Sequence, residues 1–600
     1  MSVLSDSDTE AEVVSRNLCG VVDIGSNGIR FSISSKAQHH ARIMPCVFKD
    51  RLGISLYEIQ YESDTGKQIP IPDDIIDEIV SAMKRFKLIC EDFGVPQSGV
   101  RVIATEATRL ALNCDQFIDA IESSTGWDVE LLSREEEEKI DVYGVVSSFY
   151  FVNGLYLDLG GGTVNLSWLQ TVDGEIKRSS TSVALPYGAS ALTRRSNTED
   201  RRALFLEIKE AFRKAVDEIQ IPNDMIQEAK RTGGFTLMAR GGGLRGMGHL
   251  LISQNPDYPV QTIINGYSCS YDEFDALTDY LFLKKRLPSN NKIFKVSEKR
   301  RSQLPAVALL MSAVFDVLPR ITTIYFSEGG VREGTLYSIL PREIRAQDPL
   351  LISTRPYAPL LADKYLQLLQ TALPEHQIPE IVYQRVAPAL CNLAFIHASY
   401  PKELQPTAAL HVATRGIIAG CHGLSHRIRA LIGIALCNRW GGNIPEPEEK
   451  YMKALEDVVL NDHNKIEARR AVWWTKYVGT IMYVICGVHP GGNIRDNVFN
   501  FAVLKKRPQQ GQTTEQSSSH LKRSNSRTID ETLENQMESL TIQSGGNANR
   551  EFEVVVRISK DDLKTSASVR SRIITLQKKI RKLSRGSPEK VRISVQFSDN

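Results

Sequence analysis

One short pattern occurs twice in this chain, and it constrains the fold more than anything else in its 600 residues. In LCGVVDIGSNGIRFSI, an apolar run ends at Asp23-Ile24-Gly25-Ser26-Asn27-Gly28 and resumes as Ile29–Ser34. In LYLDLGGGTVNLSWL, the same order recurs around Asp158, Gly160, Gly161, Gly162 and Thr163. Each reads as strand, tight glycine turn, strand, and the repetition predicts two related lobes. Glycines let backbone N–H groups approach an anion closely, so such a turn can cradle phosphate oxygens while its aspartate serves a metal ion or water. A single turn of this kind is equally a plain hairpin that binds nothing. The pair is more specific, because two facing turns can grip one phosphate chain.

The text between and after the turns alternates strands with helices. Ile75–Phe93, Asp115–Thr125 and Ser133–Val146 have helical spacing, Val100–Ala104 reads as a strand, and Asp200–Glu218 reads as a helix. The run TLMARGGGLRGMGHLL then places a third cluster, Gly241-Gly242-Gly243, between an apolar strand and a helix. Helical Leu304–Leu318, the strand Thr322–Phe326 and the turn SEGGVREG complete the second lobe. This predicts an α/β class with lobe I over 18–150 and lobe II over 151–350, after a disordered tail at 1–17. Residues 356–505 read as an α-helical domain. The polar stretch 506–550 buries too little to offset the entropy of ordering and reads as a disordered linker. Residues 551–600 spell a small β-α-β module. Within the linker, Lys522 and Arg523 precede Ser524 and Ser526, a site for a basophilic kinase.

Charge and cysteine usage narrow the setting. A formal net charge of +2 favours neither nucleic acid nor an anionic membrane. The nine cysteines have no C-x-x-C spacing that would gather zinc, which suits reduced thiols. The acidic, polar start lacks the form of a secretory signal, and the most apolar stretches, Leu304–Leu318 and Ile428–Cys437, are too short to span a bilayer. The expectation is a soluble cytoplasmic protein with no nucleic-acid or membrane partner. His397, His411, His422 and His426 lie in helical text. His422 and His426 have i, i+4 spacing, but no acidic ligand lies near them in sequence, and packing or capping is the favoured reading.

The order of phosphate loop, phosphate loop and distal glycine turn resembles the actin-like ATPase (ribonuclease H-like) superfold. Within it, the chain resembles the exopolyphosphatase and guanosine pentaphosphate phosphatase family. VVDIGSNGIRFSI is similar to that family's first phosphate loop, ATEATR (Ala104–Arg109) to its Ala-Thr-x-x-x-Arg strand end, and SREEEEKIDVYGV to its Ser-Gly-x-Glu-Glu-Ala segment. LYLDLGGGTVNLSWL is similar to the second loop, LPYGA (Leu185–Ala189) to the Leu-Pro-x-Gly turn, and RSQLPAVALLMSAVFDVL with EGGVREGTLY to the closing helix and turn. The resemblance covers roughly residues 18–345.

It implies that Asp23 and Asp158 hold magnesium or water. Gly25, Ser26, Asn27, Gly28, Gly160, Gly161, Gly162, Thr163 and the Gly241, Gly242, Gly243 turn would bind phosphate or nucleotide, with Arg30 and Arg109 neutralising charge. Glu137 aligns with the catalytic glutamate, so the catalytic set is Glu137, Asp158 and Asp23; the alternative for Glu135–Glu138 is a solvated charge run. Two departures stand out: Arg134 replaces the family's glycine, and Asn165 stands where the second loop ends in glutamate. Loss of that carboxylate implies binding without efficient turnover. Eroded motifs followed by a helical domain resemble the fungal retrograde-regulation branch, which implies a cytoplasmic regulator that binds ATP or a polyphosphate-like ligand and controls a protein partner in mitochondria-to-nucleus signalling. The alternative is an active magnesium-dependent exopolyphosphatase or guanosine polyphosphate phosphohydrolase, for which Lys284, Lys285, Arg286, Arg300 and Arg301 are candidate channel cations. A sugar-kinase-like phosphotransferase is a third reading, and a dimer stays open.

Overall fold

The computed structural model describes residues 17–26, 28–62, 67–288, 292–374, 377–490, 499–505, 552–559, 567–585, 587 and 589–598. Asn27, the tail 1–16, the linker 506–550 and its Ser524 and Ser526 lie outside the described residues. The chain divides into two compact units, Met1–Ser353 with Gly420–His426, and Thr354–Ala419 with Arg427–Asn600.

In the first unit the glycine turns open two sheets of the same topology. One sheet is built from β1 (Leu18–Gly25), β2 (Gly28–Ser35), β3 (Cys46–Leu52), β4 (Val100–Ala104) and β5 (Val129–Leu131), in the order β3-β2-β1-β4-β5. Here β2 is antiparallel to β1 and to β3, while β4 runs parallel to β1 and to β5. The second sheet contains β6 (Asn153–Leu159), β7 (Val164–Val172), β8 (Glu175–Arg178), β9 (Val183–Leu185), β10 (Phe235–Gly241), β11 (Ser268–Ser270) and β12 (Ile321–Phe326). Its path β8-β7-β6-β10-β12 repeats the first order strand for strand, with β11 added at the edge and β9 paired to β7. This duplicated hairpin-plus-parallel arrangement is the two-lobed actin-like, ribonuclease H-like superfold.

Both sheets are covered on their faces, which is why their first strands are apolar throughout rather than alternating. In lobe I, Val22, Ile24 and Phe31 pack with Ile79, Met83 and Phe86 of the helix Asp73–Asp92. In lobe II, Leu155, Leu157 and Leu159 pack with Leu304, Val307 and Leu310 of the helix Glu298–Phe315. A third cluster ties the lobes together. Val21 of β1 and Tyr156 and Met238 of lobe II enclose Val142, Val145 and Val146 of the helix Arg134–Ser147 and Leu336 and Tyr337 of the helix Val331–Ser338. Each such side chain, fully buried, contributes roughly 1.5–3 kcal/mol, so the two turns are held on one packed scaffold.

The second unit is mainly helical, with Lys465–Val488 as its longest helix. Its last part differs from the sequence reading. Residues 499–505, expected to close the helical domain, form β13 (Phe499–Lys505), which pairs antiparallel with β14 (Phe552–Ser559), itself parallel to β15 (Val591–Ser598). The helix Ala567–Leu583 joins β14 to β15 and packs on Lys465–Val488, where the Trp473 indole N–H donates to the Leu583 carbonyl at 3.0 Å. Among the described residues, no helix is long and apolar enough to cross a membrane.

Candidate functional site

Asp23 and Asp158 occupy equivalent places, near the ends of β1 and β6, and both are buried. A buried carboxylate needs a compensating charge, and each has one from a different source. Across the β1–β2 hairpin Asp23 pairs in register with Arg30, whose Nη1 lies 2.7 Å from the carboxylate. Burial still pushes Asp23 above the usual carboxylate range, against the pull of Arg30. The matching hairpin position in lobe II is Asn165, which is neutral. There the cation comes from the parallel neighbour: Arg240 is in register with Asp158. Its guanidinium is ion-paired to Asp158, lies 2.5 Å from Asp141, and donates from Nε to the Gly329 carbonyl at 3.0 Å.

The turns present unused donors beside these ion pairs. In the second turn the carbonyls of Gly160, Gly161 and Gly162 accept from the amides of Ala189, Ser190 and Gly188. The turn is thus fastened from behind by Gly188, Ala189 and Ser190, at the end of the Leu-Pro-x-Gly segment. The amides of Gly161, Gly162 and Thr163 donate to nothing among the described residues. In the first turn the Ser26 carbonyl accepts from the Tyr57 amide at 3.0 Å. Gly241 has φ +97° and lies against the backbone of Leu159, placing the third glycine turn beside the second.

Five arginines surround these turns. The Arg51 Nε stands 3.0 Å from where a Gly28 β-carbon would be, and the Arg300 Nη2 is 2.5 Å from the corresponding point on Gly242. Arg245, one turn into the helix Gly242–Gln254, is pushed down to about 10 by burial, with Arg300, Arg30 and Arg240 adding repulsion and Glu328 opposing it. The guanidiniums of Arg245 and Arg300 have no hydrogen-bond or ion-pair partner among the described residues. Asp23 feels Arg240, and Arg30 acts on both Arg245 and Arg300, so the two lobes' turns share one electrostatic neighbourhood. Of the sequence candidates for channel cations, Arg300 belongs to this group. Arg301 instead faces Glu298 at 3.6 Å, while Lys284, Lys285 and Arg286 are exposed at the end of the helix Tyr271–Lys284.

The glutamate run separates by partner. Glu136 completes a capping box with Ser133, Glu138 pairs with Arg178 at 2.9 Å, and Glu137 faces Arg109 at 3.3 Å. Burial pushes Glu137 up, while Arg109 pulls it down. One helical turn on, Asp141 enters the Arg240 cluster, a residue that the sequence reading missed although i, i+4 spacing from Glu137 was its signal. Burial, with Asp158 and Glu137 nearby, pushes Asp141 up to about 7 despite Arg240. The folded value lies above the unfolded one of about 4. The native state therefore holds a proton that the unfolded chain releases, and stability falls as pH rises from about 4 to 7. In Asp141→Asn protein this fall is expected to be absent, which denaturant unfolding of both proteins at pH 5 and pH 8 checks.

His422 and His426 do not form a paired helical face. His422 lies in a turn with Ser147 Oγ at 2.9 Å, and His426 Nδ1 lies 2.7 Å from the Tyr258 hydroxyl. Among the described residues no three metal-ligating side chains converge. Magnesium on Asp23 and Asp158 fits this arrangement poorly, because a guanidinium already occupies the hydrogen-bonding side of each carboxylate.

A model of the Ppx/GppA phosphatase family matches residues 32–343, and one of the RTG2 C-terminal domain matches 348–582. Retrograde regulation protein 2 of Saccharomyces cerevisiae is 67% identical over 600 residues, the whole of both chains. A bifunctional 3-dehydroquinate synthase/phosphatase of Fusobacterium nucleatum is 26% identical over 149 residues, 24% of this chain and 22% of that one. Among solved structures, the Aquifex aeolicus Ppx/GppA phosphatase aligns over 54% of this chain and 99% of its own, at 20% identity and a TM-score of 0.41.

Proposed function

We propose, from the premise that this chain belongs to the Ppx/GppA phosphatase family and carries an RTG2 C-terminal domain, that it is a retrograde-signalling regulator which binds a phosphate chain between its lobes and does not efficiently hydrolyse it. The ligand is ATP or a related polyphosphate. The observation that carries this reading is the charge arrangement: Arg245 and Arg300 are unpartnered beside glycine turns with unused amides, whereas Asp23, Asp141, Asp158 and Glu137 are each tied to an arginine. Free cations and amide donors suit anion binding. Carboxylates committed to guanidiniums are poor bases for activating water.

Phosphatases of this family are generally metal-dependent, but the chemistry assigned here passes through no metal. Ser26, Gly161, Gly162 and Thr163 orient the phosphates, while Arg30, Arg51, Arg245 and Arg300 neutralise them. A ligand touching both turns favours the closed arrangement of the lobes by its differential affinity, and closure changes the surface offered to a protein partner. The setting proposed is the cytoplasm, as part of a mitochondria-to-nucleus response of the kind named for the yeast relative.

Purified protein is expected to bind ATP or tripolyphosphate while releasing no phosphate above background, with Glu137→Ala leaving that background unchanged. Robust phosphate release that disappears in Glu137→Ala would overturn the regulator reading in favour of a working phosphohydrolase.

A further inference from the structure

The internal repeat isolates one residue that breaks it. Asp23 and Asp158 are equivalent, and each has a hairpin neighbour and a parallel neighbour in register. In lobe I these are Arg30 and Ile103, so the hairpin carries the cation. In lobe II they are Asn165 and Arg240, so the cation has moved to the parallel strand. The two arginines are not held alike. Arg30 is 45% exposed and contacts one carboxylate, whereas Arg240 is 15% exposed and is anchored by Asp158 on β6, Asp141 on the helix Arg134–Ser147 and the Gly329 carbonyl after β12. Three elements fix one planar fork, which is the geometry in which arginine's donors are worth most.

The geometry points to Arg240 as the built-in cation of the phosphate site, standing where a divalent ion would otherwise neutralise Asp158 and Asp141, so that a polyphosphate anion binds without magnesium. This rests on the phosphate-chain reading above. Five guanidiniums, Arg30, Arg51, Arg240, Arg245 and Arg300, outnumber the four carboxylates Asp23, Asp141, Asp158 and Glu328. A divalent cation entering this cluster meets net repulsion and must displace a guanidinium that cannot lose its proton. An anion meets attraction, with no metal needed to bridge it. Magnesium ordinarily joins a protein through one or two carboxylates together with substrate phosphates, and Arg240 takes up the carboxylate side of that bridge.

The test titrates inorganic tripolyphosphate into the full-length protein in EDTA and in millimolar magnesium, and follows thermal unfolding with and without magnesium alone. Wild type is expected to bind at least as tightly in EDTA as in magnesium, which itself complexes tripolyphosphate, and to show no magnesium-dependent thermal shift. Arg240→Ala is expected to bind on the order of tenfold to a hundredfold more weakly in EDTA, because Asp158 and Asp141, no longer neutralised, repel the anion. With Asp158 and Asp141 released, it should recover binding and gain thermal stability on adding magnesium. Should Arg240→Ala not fold, the Arg240→Ala, Asp141→Asn double variant removes one buried charge and carries the same expectation for binding in EDTA. Wild-type binding that requires magnesium overturns this inference while leaving the ligand reading intact. Arg240→Ala binding as tightly as wild type in EDTA overturns it too. No tripolyphosphate binding by wild type in either condition overturns the ligand reading, and the inference with it.

Discussion

Gly188→Ala protein is expected to lose tripolyphosphate binding and to unfold at a temperature roughly 2–4 °C lower than wild type, whereas Gly162→Ala keeps its stability to within about 0.5 kcal/mol. The two glycines belong to facing segments but differ in their surroundings. A β-carbon on Gly188 would stand inside the van der Waals envelope of the Gly161 carbonyl and of the Gly162 backbone. The conformation of Gly188, φ −65° and ψ 160°, suits any residue, so the cost is steric. Backbone cannot swing aside as the end of a flexible side chain can, and forced overpacking of this kind costs about 1–3 kcal/mol or more. The displaced element would be the phosphate turn itself, because the Gly160, Gly161 and Gly162 carbonyls are fastened to the 188–190 amides. A β-carbon on Gly162 meets nothing within 4 Å, so Gly162→Ala should fold normally while weakening the anion on the order of tenfold, by keeping it from the amides. Thermal unfolding and calorimetric titration of the two variants side by side check both halves.

Charge reversal at Arg300 is expected to weaken ATP and tripolyphosphate binding on the order of a hundredfold or more, with little change in stability. Arg300 is half-buried over Gly242, and burial together with Arg51 and Arg30 pushes its affinity for a proton down. It makes no ion pair within the described protein, so its removal breaks no internal bond. Arg300→Glu replaces attraction by repulsion and also places a carboxylate beside Arg30 and Arg245, sequestering the cations that remain. The effect should shrink as salt rises, because screening weakens both the native attraction and the introduced repulsion. Calorimetric titration at two ionic strengths reads it, and an affinity unchanged by the reversal would remove Arg300 from the site.

Legibility in the sequence followed the range of the interactions involved. Both hairpins, β1–β2 and β6–β7, could be read because strand, glycine turn and strand are adjacent in sequence. The helix Arg134–Ser147 was legible for the same reason, its Ser133–Glu136 capping box being local. β3 was missed: as an edge strand, CVFKDRL is partly exposed along its length and carries no apolar run. β13 was missed because the strand that pairs with it lies beyond residue 550.

The site divides the same way. Asp23, Asp158 and the glycine turns announce themselves through a motif, but Arg240 is placed by the parallel register of β10 on β6, and Asp141 by a helix packed from elsewhere in the chain. Arg240 did carry a faint signal, a lone arginine ending an apolar strand just before three glycines. Arg51 and Arg245 carried none, since only folding brings them to the turns.

The central claim is that the turns beginning at Asp23 and Asp158 hold one anion chain between them. Backbone hydrogen exchange of the full-length protein, with and without tripolyphosphate, reads this most directly, because the amides of Ser26, Gly161, Gly162 and Thr163 donate to nothing among the described residues in the free state. The account predicts that added tripolyphosphate slows exchange in both segments, 23–30 and 158–165, with the same concentration dependence. Protection of one segment alone, or of neither while the anion binds elsewhere, would contradict it.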